Sequence, residues 1–263
     1  MYLRNDHAEK SLPVLRQLVR ENSLGQFTTV IASPNFPLIQ SSHIPFILAV
    51  DDESSETELG VLRAHMARAN PQAKAIIEDI KNRQAAGDAS RMLQQDVLVM
   101  FTSPVHHYVT PKFYTTTKPA TAKVVPTWNY AAVQVYGKAT FYIDSGAEET
   151  SSFLDQQIDA LSSFNEEVTM GYTGEGGRPS AWKVADAPEP YINIMKKNII
   201  GLEIRIEHMG GKFKMSQETG DGDSDGVIKG FRDLGSEVGT KIAGIVEERR
   251  EVKRQQKASR QSE

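Results

Sequence analysis

No cysteine occurs anywhere in the 263 residues, which removes disulfides, thiolate metal sites and cysteine nucleophiles together. The absence fits a reducing compartment. Long apolar runs are also missing: no segment approaches the roughly 20 residues of a membrane span. The stretch Met1 to Arg20 interleaves Asp6, Glu9 and Lys10 with its apolar residues, so it lacks the continuous core of a secretory signal. A soluble, cytoplasmic protein with no membrane partner is the expectation. Charge of one sign is not in excess either. Thirty basic and 34 acidic residues give a net charge of -4 and a pI near 5.9. That balance calls for no polyanionic partner and lowers the expectation of nucleic-acid binding. HExxH spacing, GxSxG, GxGxxG and GxxxxGK[ST] are all absent. Zincin, serine hydrolase, Rossmann and P-loop chemistry therefore lack positive support.

What is present is an ordinary globular mixture, 39% hydrophobic and 24% charged, long enough for one large domain or two small ones. Leu12, Leu15, Leu18 and Val19 mark one face of a helix over residues 8–21. Strands are predicted over 25–33, 44–50, 60–65, 96–102, 108–110, 133–143 and 201–208. Helices are predicted over 72–83, 147–168 and 187–199. Many short strands with few helices point to a mainly β barrel with peripheral helices rather than a doubly wound sheet. The four glycines between Glu166 and Arg178 predict a loop. Ile228, Phe231, Leu234, Val238, Ile242 and Ile245 recur at helical spacing and ask for a partner surface. The segment from Glu247 to Glu263 is charged on all sides. The domain reading is a barrel domain over 1–230, followed by a C-terminal helix and a charged, partly disordered tail over 231–263.

Several groups could carry chemistry. His43 stands at the edge of an apolar strand and His65 ends the next one. A neutral imidazole there can ligate iron or simply bond a backbone carbonyl. Arg68 and Asn70 occupy a turn leading into a helix, suited to a phosphate or propionate, or to a surface ion pair. Thr127, Trp128, Asn129 and Tyr130 follow Pro126 and offer flat faces with polar edges, for a cofactor ring or for core packing. Val105 to Lys112 forms another polar and aromatic cluster. Lys212 and Lys214 lie in a Gly-Gly-Lys-Phe-Lys-Met-Ser-Gln segment that can cover an anion or form an exposed hairpin.

At these residues the chain resembles a known family. Ser42-His43-Ile44-Pro45-Phe46, His65-Met66-Ala67-Arg68-Ala69-Asn70-Pro71, Tyr108-Val109-Thr110-Pro111, Val125-Pro126-Thr127-Trp128-Asn129-Tyr130, Gly211 to Gln217 and Asp225-Gly226-Val227-Ile228 occur in the order of the PaiB-like proteins. These belong to the FMN-binding split-barrel superfamily and are named as negative transcriptional regulators. The resemblance implies a split β-barrel that forms a homodimer with cofactor pockets near its interface. It also implies kinship with haem-dependent piperazate synthases, which close a hydroxylated ornithine through an N–N bond. Gln134 stands where the family pattern leads one to expect histidine.

The leading expectation is accordingly a haem b enzyme acting on a small-molecule substrate, with His65 as iron ligand and His43 as its rival. The alternatives are an FMN-binding oxidoreductase, with Arg68 and Lys214 on the phosphate and Trp128 beside the ring, and a PaiB-like regulator. No helix-turn-helix with a basic recognition helix is evident, so direct DNA binding ranks last. The cofactor set is His43, His65, Arg68, Asn70, Thr127, Trp128, Asn129, Tyr130, Lys212 and Lys214.

Overall fold

The structure, a computed structural model, describes residues 1–261, with side chains through residue 258. In chain order the elements are β1 (Ala8–Glu9), α1 (Leu12–Glu21), β2 (Leu24–Val30), β3 (Ile39–Pro45), β4 (Ile47–Ala49), β5 (Val61–Ala67), α2 (Pro71–Ala85), β6 (Val97–Thr102), β7 (His107–Val109), α3 (Thr117–Thr121), β8 (Thr127–Tyr142), α4 (Glu148–Phe164), α5 (Glu189–Lys197), β9 (Ile199–Lys214), α6 (Asp221–Asp233) and α7 (Glu237–Gln261). The chain divides into two units, neither contiguous in sequence. The larger comprises Val19–Phe101 and Val135–Met209, and the smaller Met1–Leu18, Thr102–Gln134 and Gly210–Glu263.

In the larger unit the strands run in the order β3-β2-β6-β8-β9-β5-β4. The pairs β2–β3, β2–β6, β4–β5 and β5–β9 are all antiparallel. Alternation builds the core. Leu62, Ala64 and Met66 of β5 turn inward while Arg63 and His65 turn the other way. Phe27 meets Phe46 and Phe141 at 6.4 and 6.5 Å between ring centroids, and Phe46 meets Phe101 edge-on at 5.8 Å. Helix α2 begins where the sequence asks. Pro71 occupies the first turn, where its missing N–H costs nothing, and the Asn70 side chain accepts from Gln72 N at 2.8 Å. Such a cap stabilises a helix by about 1 kcal/mol. Helix α4 stops at Phe164, earlier than its periodicity predicts, and a π-helical turn over Asn165–Thr169 follows. There the Asn165 side chain donates to Leu161 O at 2.8 Å.

In the smaller unit, β1 pairs with the end of β9 and β7 with the start of β8. Strand β8 begins at Thr127, so the Thr-Trp-Asn-Tyr segment is strand and not the turn before one. The C-terminal stripe also differs from its sequence reading. Gly235, with φ at 64°, turns the chain and divides the predicted helix into α6 and α7. Of the stripe, Ile228, Phe231 and Ile242 are buried within the chain itself, while Leu234 and Val238, on either side of that turn, are exposed. Helix α7 continues through the charged segment to Gln261. Arg232–Glu247 and Arg250–Asp225 ion pairs tie α7 to α6. Among the described residues no helix is long and apolar enough to cross a membrane.

Candidate functional site

The expected cofactor residues fall into two sets, one in each unit. In the larger unit, His43 is exposed on β3, an edge strand, opposite Gln26. Arg68 follows β5 directly and is turned onto backbone. Its Nη2 donates to Ile143 O at 2.8 Å and Ile199 O at 3.3 Å, and its Nε to Lys197 O at 3.2 Å. Those contacts pin three chain segments together and commit most of the guanidinium fork. Asn70 is likewise engaged: beyond capping α2, its amide donates to Ser42 Oγ at 3.0 Å.

His65 sits opposite Gly201 on β9, on the face that carries the Arg63–Glu203 ion pair. Helix α4 packs over this face. Its Phe153 stacks on Tyr142 at 4.0 Å, and Gln157 donates to Arg63 O. A Cβ at position 201 would lie 2.4 Å from the Phe153 ring, so only glycine admits the helix this closely. His65 Nδ1 is buried and has no hydrogen-bond partner among the described residues. Burial holds the imidazole below its ordinary value of 6.5, because the charged form would lose its water.

Between the lowered folded value and about 6.5 the unfolded chain binds a proton that the folded chain refuses. The stability His65 permits is therefore complete above that window and falls as pH falls through it. Thermal melts across this range are expected to show an acid-side decline that His65→Gln flattens. Equal slopes in the two proteins would contradict the assignment.

In the smaller unit, residues from β8, β9 and the N-terminal segment converge. Lys214 donates to the Thr127 hydroxyl and, at 2.9 Å, to Trp128 O. Its ammonium is held below the ordinary lysine range, first by burial and further by the neighbouring cations Lys212 and Arg4, against the pull of Glu218. Glu218 lies 4.0 Å from Lys214 and bonds the His7 ring at 2.8 Å. Burial opposes its ionisation, yet the hydrogen bond from His7 and the charge of Lys214 leave it below the usual carboxylate range. Lys212 Nζ stands 5.5 Å over the Tyr130 ring and 5.9 Å over that of Tyr2.

Asn129 is fully buried on the alternate face of β8. Its Oδ1 accepts from Ser216 Oγ at 3.0 Å while its Nδ2 lacks a partner among the described residues. Ser216 adopts φ of 61°, unusual for a residue with a side chain. Trp128 is 53% exposed, with Tyr108 and His106 each 6.1 Å from it. The arrangement combines an open aromatic face, a hydroxyl, and three mutually repelling cations around one carboxylate. An anion with a flat apolar body suits it. Arg4, His7 and Glu218 were not singled out from sequence. Glu218 could have been, standing four residues after Lys214; His7 lies 211 positions from its partner and gives no such signal.

A mainly antiparallel, curled sheet with peripheral helices defines the split-barrel class. The chain belongs to the FMN-binding family described as "Putative FMN-binding domain", whose model matches residues 1–208. It is 56% identical to an uncharacterized protein of Aspergillus fumigatus, over 96% of this chain and 99% of that one. It is 27% identical to the Bacillus subtilis protease synthase and sporulation protein PAI 2, over 88% and 89% of the two chains, in keeping with the resemblance to PaiB proteins. Among solved structures, the flavocytochrome Anf3 of Azotobacter vinelandii is similar at a TM-score of 0.40 and 12% identity, over 81% and 70% of the chains.

Proposed function

We propose that this protein is an FMN-dependent oxidoreductase whose flavin phosphate is held by Lys214, Lys212 and the Thr127 hydroxyl, with the ring system against Trp128. The observation that carries the reading is the half-buried Lys214 ammonium. Burial first, and then Lys212 and Arg4, disfavour its charged form, and the negative charge of a phosphate beside it would offset both. Family membership supports the cofactor's identity. When bound, FMN supplies one- and two-electron transfer. The chain's own residues orient it: Lys214 spans Thr127 and Trp128, and the Asn129–Ser216 hydrogen bond fixes the turn that follows the lysine. The small-molecule substrate would meet the ring on its face turned away from Trp128.

A haem reading rests on one observation, the buried and unpartnered Nδ1 of His65. Burial keeps that imidazole neutral and competent as a ligand. The absorption spectrum of the purified protein, supplemented in separate samples with FMN and with haemin, distinguishes the two. Paired flavin bands retained through gel filtration are expected. A Soret band retained instead, and lost in His65→Ala, would replace the flavin reading with haem.

A further inference from the structure

The smaller unit contains a cavity of about 450 Å³ between residues 5–11, the end of β9 and helix α7. That volume lies in the usual range for metabolite-sized ligands. The cavity adjoins the proposed flavin site through His7, which lines it and bonds Glu218, but the lysines of that site point elsewhere. Lys212 and Lys214 project from one face of β9, and Phe213 between them projects from the other.

Its central group is Arg249. The side chain is nine-tenths buried, its guanidinium lies 3.6 Å over the Phe213 ring, and its Nη1 pairs with Glu9 at 2.7 Å. Its Nε has no hydrogen-bond partner among the described residues. A desolvated guanidinium is costly unless its donors are used, and the stacking on Phe213 fixes its plane in advance of any ligand. Three further cations line the same space: Lys10, Lys253 and Lys257. Against these four stand two carboxylates, Asp6 and Glu9. Lys253 already leans on Asp6 at 3.4 Å and on Gln217 O, and Lys257 follows it by one helical turn on the same face of α7. The lining thus carries two more positive than negative charges.

We propose that this cavity is a binding site for a small phosphomonoester. The dianionic phosphate would sit toward Lys253 and Lys257 at the α7 wall, and the organic part would fill the space toward Val252. Arg249 is already paired with Glu9 and, at 3.5 Å, with Glu248, which leaves the lysines on adjacent turns of α7 to serve a phosphate as paired point charges. The proposal does not depend on the flavin reading.

Isothermal titration of the full chain with phenyl phosphate tests it. Saturable binding at one site per chain is expected in the Lys214→Met protein, in which the proposed flavin-phosphate cluster is disabled. Lys253→Gln combined with Lys257→Gln should weaken that binding by about tenfold or more. Both lysines of the double variant lie on the helix surface, so it should fold. Absence of saturable binding would overturn the proposal. So would binding lost in Lys214→Met but kept in the double variant, which would place the phosphate at the flavin site. Succinate binding as tightly as phenyl phosphate would overturn the phosphate assignment.

Discussion

Lys214→Met is expected to weaken FMN binding by roughly tenfold to a hundredfold, the usual cost of removing a charge-assisted hydrogen bond from a partly desolvated site. Methionine keeps the length and apolar body of the side chain, so the loss reports charge rather than packing. The wild-type ammonium spans Thr127 and Trp128 O and leans toward Glu218. Its replacement leaves those acceptors and one carboxylate facing the ligand's phosphate. Lys214→Arg should recover part of the affinity, because the charge persists while the geometry shifts. Flavin fluorescence titration measures all three proteins, and far-ultraviolet circular dichroism verifies that each is folded. Equal affinity in wild type and Lys214→Met would remove the phosphate from this cluster.

Gly137→Ala is expected to destabilise the fold severely. Strand β8 passes so close to β9 that a Cβ at position 137 would lie 2.1 Å from Arg205 O and 3.0 Å from Arg205 C. The obstacle is backbone in the middle of the sheet, not the tip of a flexible side chain, so neither strand can yield without breaking the ladder. Overpacking of this kind costs about 3 kcal/mol or more, a large share of the roughly 5–15 kcal/mol that holds a domain together. Gly244 makes the contrast. It lies inside α7, and a methyl group added there would meet nothing within 4 Å. Gly244→Ala should therefore be neutral or add about 0.5–1 kcal/mol through helix propensity. Urea unfolding of the two variants measures both. A Gly137→Ala protein with wild-type stability would mean that β8 and β9 are not in this register.

The parts of the fold that could be read from sequence are those set by local chemistry. Asn70-Pro71 announces the start of α2, and the alternation through Val61 to Ala67 announces β5. The apolar stripe from Ile228 onward was legible as a helical face. Its partner was not, because Gly235 folds the stripe back, burying Ile228, Phe231 and Ile242 but leaving Leu234 and Val238 at the surface, a turn that composition alone shows only as a weak helix former. The site was legible as a set of residue types and illegible as a set of partnerships. Arg68 has the chemistry of a phosphate ligand, yet carbonyls from residues 143, 197 and 199 take up its fork. No pattern near Arg68 foretells that. Conversely, the cation cluster at Lys214 includes Arg4, and its carboxylate is tied to His7. These are long-range meetings created by β1 pairing with β9. In sequence Trp128 is a flat surface beside a turn. Its place within a strand is what holds its face open beside Tyr108.

The most direct test of the central claim is a stoichiometric titration of the purified full chain with FMN, followed by reduction of the complex under anaerobic conditions. The account predicts saturation at one FMN per chain, and a bound flavin that is reduced and reoxidised reversibly without leaving the protein. Failure of FMN to saturate the folded protein at any accessible concentration would contradict it.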